Sequence, residues 1–411
     1  MAFWSNWFRR KEQKYDSLDL FREIYGGRAS SSGVSVNWQN SLEFATVLAC
    51  CRVIGEGVAQ VPWKVYRDNG NMDRQSASDH PLYQVIYRRP NRWQTSFGFR
   101  ETIAFHLCLF GNAYVFKGMV GRDRSVKELI PLEPQFMTAS RKKDSETVEY
   151  RYVPAEGTAV TFTEDSIWHI RAASWNAWLG LDSVRMMRDA VGLAISAQNA
   201  HADHHRGGSR VSGIYSVDGP LSKERYETLA GWLDKYAMGG ERAGKPLILD
   251  LGAKFTSQQM TGVDAQHIET RDHQIQEICR AFRVMPLMVG FSDKTSTYAS
   301  AEQFFIAHVV HTLSPWYERL EQSADVNLLS EADQAAGFYT KFNPNALMRG
   351  AAKDRAEFYT RAIGSVNASP GWMTQNEIRA LEELPPMDGG DEIFKPSPKP
   401  AAAQPPGSAG A

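Results

Sequence analysis

The sequence has no excess of charge of either sign. Lys and Arg number 46 against 47 Asp and Glu, which leaves a formal net charge of -1 at pH 7. A protein that grips nucleic acid through its phosphates normally carries a clear basic excess. We therefore expect any contact with DNA to be loose or local.

Cysteine is scarce and follows no pattern. Cys50 and Cys51 are adjacent, while Cys108 and Cys279 stand alone. This spacing matches neither a disulfide framework nor the paired C-x-x-C units of zinc and redox sites. The sequence thus predicts a reducing compartment, no metal and no cofactor.

Long hydrophobic runs are missing too. The longest uncharged apolar run, residues 44–51, ends at Arg52 and is far too short to span a bilayer. The first residues, MAFWSNWFRRKEQK, lack the continuous apolar segment of a secretory signal. Their aromatic residues, Trp4, Trp7 and Phe8, allow interfacial anchoring as an alternative. We expect a docking or flexible arm and no membrane partner.

Catalytic signatures are also lacking. No Gly-x-Ser-x-Gly or His-Glu-x-x-His motif occurs. The segment GGERAGKP, residues 239–246, fits a phosphate loop but has proline where Ser or Thr should bind magnesium. Its neighbours are also reversed, since a phosphate loop must run from a strand into a helix. We predict a turn here and no catalytic residues.

Two polar clusters have the spacing of a helix surface. His201 and His205 could share a metal ion, but no fourth ligand is evident, and imidazoles are favoured at a helix C-terminus. The carboxylates of Glu269, Asp272 and Glu277 are interspersed with arginines at helical intervals. A solvated, charged helix surface explains both clusters better than chemistry does.

Hydrophobic periodicity predicts an α+β protein. A strand is predicted for WKVYR, alternating strands and turns for residues 114–170, and a small β-α-β-β module within residues 209–260. Predicted helices cover residues 41–61, 95–110, 181–205 and 264–283. The third of these helices is stopped by Gly207 and Gly208, and the fourth is capped by Asp264. Two more helices are predicted to begin at capping boxes, Ser300–Gln303 and Thr374–Glu377. The Pro/Ala-rich end of the chain is predicted to be disordered.

Five stretches together resemble the portal proteins of tailed bacteriophages, in the form found in long-tailed siphophages, prophages and gene transfer agents. None of them carries a chemical signature, but their order along the chain is specific to that family. The stretches are residues 44–67, 80–117, 167–208, 280–322 and 373–394.

The resemblance implies the phage portal fold, with wing, stem, clip and crown, assembled as a homododecamer around a central channel. Such a ring occupies one capsid vertex of the virion and conducts double-stranded DNA, without reading its sequence, during packaging and ejection. It implies further partners, namely the terminase large subunit, the major capsid protein and the head-tail adaptor, and assembly in the host cytoplasm.

The resemblance also divides the chain. The expected parts are a flexible N-terminal arm (1–40), the α+β wing (41–181), a first stem helix (182–208), the clip (209–260), a second stem helix (261–287), the tunnel loop (288–300), a wing helix and strand (301–345), the crown (346–394) and a disordered tail (395–411).

Candidate site residues follow from this division. Short neutral side chains and one cancelling ion pair suit a loop that slides along DNA. The tunnel-loop candidates for DNA contact are Ser292, Asp293, Lys294, Thr295, Ser296 and Thr297; the channel-lining candidates are Glu269, Asp272, Gln276 and Arg280; the clip-interface candidates are Arg210, Lys245 and Lys254.

Two other classes of protein remain as alternatives at this stage. A different head-tail connector or adaptor ring would share the mixed α+β content, but adaptors are usually much shorter. A DNA-packaging ATPase would need an intact phosphate loop, which Pro246 interrupts.

Overall fold

The chain separates into two compact units. The computed structural model describes residues 30–69, 74–120, 125–141, 147–206, 213–216, 222–224, 226–228, 254–257, 263–291, 298–344, 347, 352–364, 371–382 and 384–393. The larger unit comprises residues 1–60 and 64–341, and the smaller comprises residues 61–63 and 342–411. Helices and strands are mixed along the chain, which confirms the α+β prediction.

The helices are numbered in chain order. They are α1 (Trp38–Glu43), α2 (Ala45–Ala59), α3 (Pro81–Tyr87), α4 (Ser96–Phe110), α5 (Ser183–Met186), α6 (Arg188–Arg206), α7 (Val263–Phe282), α8 (Tyr298–Ala307), α9 (Ser314–Leu328), α10 (Glu331–Ala335), α11 (Ala352–Ile363) and α12 (Gln375–Leu381). A π-helical segment, His308–Leu313, joins α8 to α9.

The strands form four small sheets. They are β1 (Trp63–Asp68), β2 (Arg74–Ser76), β3 (Asn112–Val120), β4 (Ser125–Leu132), β5 (Met137–Arg141), β6 (Val148–Tyr152), β7 (Val160–Phe162), β8 (Ile167–Arg171), β9 (Gly213–Ser216), β10 (Lys254–Ser257) and β11 (Phe338–Phe342). Their orders are β11-β1-β2, β4-β3-β8, β5-β6-β7 and β10-β9.

Helix α2 lies at the centre of the helical core. Its buried residues include Val47, Ile54 and Val58, which recur at helical spacing. Two glycines let neighbours approach closely. A Cβ on Gly55 would lie 3.0 Å from the Phe105 ring of α4, and the neighbours of Gly57 are closer still. The side chains of α2 thus bury against several elements at once.

Local contacts set the ends of α4 and the start of α12. The Thr95 hydroxyl accepts the Gly98 N–H at the start of α4, and Gly111 ends that helix in the left-handed conformation at φ +67°. At α12 the Thr374 side chain accepts the Glu377 N–H, and the Glu377 carboxylate accepts the Thr374 N–H. The second capping-box prediction is confirmed.

Two predicted helix starts are wrong. Helix α8 begins at Tyr298, so Ser300 lies inside its first turn and cannot be the N-cap of a capping box. Helix α7 begins at Val263, so Asp264 is likewise helical.

Three predicted helices have different extents. The helix predicted over 41–61 is broken at Phe44, whose ψ of 115° is extended, because the Asn37 capping box nucleates a separate short helix. The helix predicted over 181–205 is interrupted at Met187. Helix α12 ends at Leu381, before the segment preceding Pro385, where the following ring disfavours helical backbone.

A second core lies around the sheets. Tyr114, Met137, Val148, Tyr150 and Ile167 bury together, and they come from β3, β5, β6 and β8. The alternation of side chains along these strands places one residue in two on this core face. This packing secures the position of β8, which leads towards α5.

One buried histidine is held in a single neutral tautomer. Asn112 Oδ1 accepts the Gly180 N–H (2.8 Å), so His169 Nε2, 3.0 Å away, must donate to the same oxygen. His169 Nδ1 is then the acceptor for the Tyr150 hydroxyl at 3.3 Å. Burial, aided by Arg171, lowers the pKa of His169 from 6.5 to about 3. Protonating Nδ1 would remove the acceptor to which the Tyr150 hydroxyl donates.

Acid should destabilise the chain through His169. The unfolded imidazole takes up a proton below its usual pKa near 6.5, whereas the folded one stays neutral down to about pH 3. Stability is therefore lost as pH falls through this window, by about 3 kcal/mol at pH 4.5. We expect urea unfolding to show this loss of stability in the wild-type protein between pH 7.5 and 4.5. In His169→Gln the loss over the same pH range should be smaller by the contribution of His169. Identical pH dependence of the two proteins would contradict it.

The smaller unit has its own local order. Trp63 stacks on Phe342 with ring centroids 4.7 Å apart, and the Asn343 N–H donates to the Pro62 carbonyl (2.9 Å). Farther along, the Trp372 N–H donates to the Ala362 carbonyl at the end of α11. Aromatic stacking and backbone hydrogen bonds thus give this unit local order at both places.

Candidate channel-lining site

Helix α7 has one buried face. Gln274, Ile278, Cys279 and Phe282 are all buried, and their spacing of three and four residues places them on one side of the helix. Helix α7 packs there against α6 and α2. The buried face of α7, which includes Ile278, Cys279 and Phe282, is therefore a helix-helix seam.

The contact between α2 and α7 is made by thiols. Cys50 Sγ and Cys279 Sγ are 3.9 Å apart, and both side chains are buried. The hydrogen bond with Cys279 and burial raise the pKa of the Cys50 thiol, so it remains protonated. All four cysteines are free, and they serve as small buried apolar side chains.

The four channel-lining candidates occupy the opposite side of α7. Glu269, Gln276 and Arg280 are exposed and Asp272 is partly exposed. Intervals of three, four and four residues along the helix place them on one face. The structure thus brings together the four candidates as one polar surface, held outward by the packing of the seam.

His273 joins this surface and was missed by the sequence analysis. Its side chain is exposed and it lies four residues after Glu269 and three before Gln276. The i, i+4 spacing from Glu269 was the available signal. The assembled face can offer carboxylates, an amide, an imidazole and a guanidinium to water or to a polyanion, groups suited to contacts without base readout.

The other candidates are only partly covered by the structure. The tunnel-loop candidates, residues 292–297, and the clip candidates Arg210 and Lys245 lie outside the described residues. Lys254 opens β10, where it pairs with Ser216 of β9 in an antiparallel hairpin-like sheet. The phosphate-loop-like segment 239–246 also lies outside the described residues.

The described part of the chain offers neither a metal-binding cluster nor a membrane-spanning helix. There, no three His, Cys, Asp or Glu side chains are grouped so as to hold a metal ion. Within the same residues, no helix combines the length and the hydropathy needed to cross a bilayer. The side chains of His201 and His205 are not among those described.

The described residues thus form an α+β body with a charged helix face exposed for contact. The class of protein follows from the family comparison, because residues 45–383 match the family model described as phage portal protein. The chain belongs to the phage portal protein family. The resemblance noted from the five sequence stretches is thereby confirmed.

Relatives and solved structures agree with this assignment. The portal protein of Enterobacteria phage HK97 is 27% identical over 365 residues, covering 88% of this chain and 83% of that protein. A chain from the virion of a native gene transfer agent particle superposes with a TM-score of 0.60 at 22% identity, over 85% of this chain and 92% of the other. A crystal structure of an HK97-family portal protein from Corynebacterium diphtheriae superposes with a TM-score of 0.56 at 16% identity. The match covers 76% of this chain and 98% of the other.

The chain is therefore a portal protein of the HK97 type, a structural component of phage or gene transfer agent particles. Proteins of this family form a dodecameric ring and serve as the conduit for DNA. The fold class and the portal function expected from the sequence are confirmed.

Proposed function

We propose that the exposed face of α7 lines the DNA channel of the ring. The observation that carries the proposal is the arrangement of Glu269, Asp272, Gln276 and Arg280 opposite the buried seam. In a ring every such face is repeated around the axis, so its charge is multiplied by the number of subunits. The exposed faces of α7 from all subunits would thus form a continuous collar of charged and polar side chains around the channel.

The charge of this collar suits a conduit. Two carboxylates and one guanidinium leave one negative charge per subunit on this set, with Gln276 neutral. A mildly negative wall does not hold phosphates, and salt screens the repulsion beyond about 8 Å at physiological ionic strength. Duplex DNA can then pass without being clamped, whatever its sequence.

The remaining parts take the roles that the family resemblance assigns them. Residues 292–297 would contact the DNA as a tunnel loop, and the clip (209–260) would bind the terminase large subunit and later the head-tail adaptor. The wing (41–181 and 301–345) would face the major capsid protein, and the crown (346–394) the capsid interior. The ring would assemble in the host cytoplasm and catalyse nothing itself, the packaging energy being supplied by the terminase.

Reversing the charge of the α7 face should turn the conduit into a clamp. Glu269→Lys with Asp272→Lys removes two negative and adds two positive charges, a net change of +4 per subunit, which creates phosphate-binding positions around the whole channel. We expect purified rings to bind duplex DNA at least ~10-fold more tightly at low salt, with a steeper decrease as salt rises. Two duplexes of different base composition should respond alike. The measurement is DNA affinity as a function of salt concentration.

The matched control places the same charge change elsewhere. Glu156 and Glu164 are exposed on either side of β7, away from α7 in the sequence. Glu156→Lys with Glu164→Lys should raise DNA affinity much less, because these positions do not face the proposed channel. Equal gains in the two double variants would show a general charge effect and refute the proposed lining.

A further inference from the structure

Helix α8 is apolar, yet its residues 303–306 are not buried by the rest of the described chain. Gln303, Phe304, Phe305 and Ile306 are four consecutive helical residues and all are exposed. Successive helical residues point about 100° apart, so these four side chains sample nearly the full circumference. Phe304, Phe305 and Ile306 are 40%, 38% and 45% exposed, although a helix that is hydrophobic all round is normally buried.

The continuation of the same helix behaves differently. Val309 and Leu313 of the π-helical segment are buried, and Tyr317 of α9 donates its hydroxyl to the Gly57 carbonyl at 2.9 Å. From His308 onward one face is thus docked on α2. The exposed apolar stretch comprises Phe304, Phe305 and Ile306 before this docking point and continues at Val310 (48% exposed), on the undocked side of the π-helical segment.

We propose that this apolar surface, Phe304, Phe305, Ile306 and Val310, binds a neighbouring copy of the chain in the ring. The inference rests on the portal function, because a ring of identical subunits needs an apolar contact between neighbours. Contacts around a ring are head-to-tail, so the surface inserts against a different face of the next subunit. Aromatic and aliphatic anchors of this kind carry most of the energy of an interface.

The lack of charge on this surface favours a protein partner over DNA. No Asp, Glu, Lys or Arg occurs from Gln303 to Tyr317. DNA would require basic side chains on the contact surface, and this stretch has none to offer to phosphates. Interface centres between proteins, in contrast, are depleted of charge and enriched in aromatic side chains.

Truncating the surface should weaken assembly without unfolding the subunit. Phe305→Ser with Ile306→Ser removes two exposed anchors, so the subunit's melting temperature should not fall, while the subunit concentration at half-assembly should rise at least ~30-fold. Val326→Ser is the control, because Val326 is also apolar and helical and is 75% exposed on α9. It should leave assembly unchanged. Sedimentation and electron microscopy report ring content.

Photo-crosslinking identifies what contacts the surface. A benzoylphenylalanine placed at residue 305, in rings purified as such or taken from assembled particles, should give a ladder of covalent multimers on irradiation. The same probe at residue 326 should not. Rings that yield no multimers at residue 305, crosslinks confined to residues 1–29 of the same chain, or crosslinks to DNA would each overturn this inference. Those results would leave the portal function intact, because the rings themselves are observed independently.

Discussion

Replacing Gly111 by alanine should prevent stable folding. Gly111 adopts φ +67°, and a Cβ there would lie 1.8 Å from the Leu181 carbonyl oxygen and 2.5 Å from its carbonyl carbon. These are backbone atoms, and the same junction is fixed by the Ala172 N–H donating to the Gly111 carbonyl (2.8 Å). Neither side can move without breaking the start of β3 or the approach to α5. We expect a loss above about 4 kcal/mol, measured as the urea unfolding midpoint and the soluble yield.

Gly33→Ala provides the matched control for this prediction. Gly33 also has a left-handed backbone, at φ +80°, but a Cβ there would meet nothing within 4 Å. Its substitution should cost only the free energy of placing alanine in the left-handed conformation, about 1–2 kcal/mol. The difference between the two variants isolates the clash with Leu181. Equal unfolding midpoints would show that the Leu181 segment yields freely.

Replacing Trp168 by alanine should be the next most damaging change. The side chain is fully buried on β8, and its indole Nε1–H donates to the Ser323 hydroxyl of α9 at 2.9 Å. The substitution leaves a large cavity between the sheet and the helix, at a cost of about 3–5 kcal/mol. Equilibrium unfolding in urea measures this loss, and the residual ring content should fall with it.

Ser323→Ala separates packing from hydrogen bonding at this contact. It leaves the indole buried but removes the acceptor, which should cost about 1–3 kcal/mol. Trp168→Ala should be clearly worse than Ser323→Ala, because the cavity adds to the lost hydrogen bond. If the two variants unfolded at the same urea concentration, the hydrogen bond rather than the packing would dominate at Trp168.

Helix ends were predictable where the determining contact is local. Thr95 and Thr374 cap helices through side chains that reach only three residues ahead, and Gly111 ends α4 through its own backbone conformation. Ser300 and Asp264 show the limit of this reasoning. Both fit a cap motif, yet the helices begin earlier, because a motif states which residue can cap and not where the helix must start.

The candidate site was predictable in part. The charges of α7 were recognised as a helix surface from their spacing, and the structure places Glu269, Gln276 and Arg280 outward on one face. Their selection over His273 had no basis in periodicity, since His273 shares that face. The spacing of residues indicates which ones lie together, but the orientation of the whole helix depends on its packing partners.

The sequence by itself determined the family and the positions of most helices and strands, because five stretches in order and local patterns of polarity, capping and turns carry that information. Only the tertiary structure decided that Cys50 meets Cys279, 229 residues away, that the charged face of α7 is exposed, and that residues 303–306 of α8 are not buried by the rest of the described chain. These features depend on long-range burial, in which many apolar groups from distant segments share one core, and no single segment of the sequence specifies that arrangement.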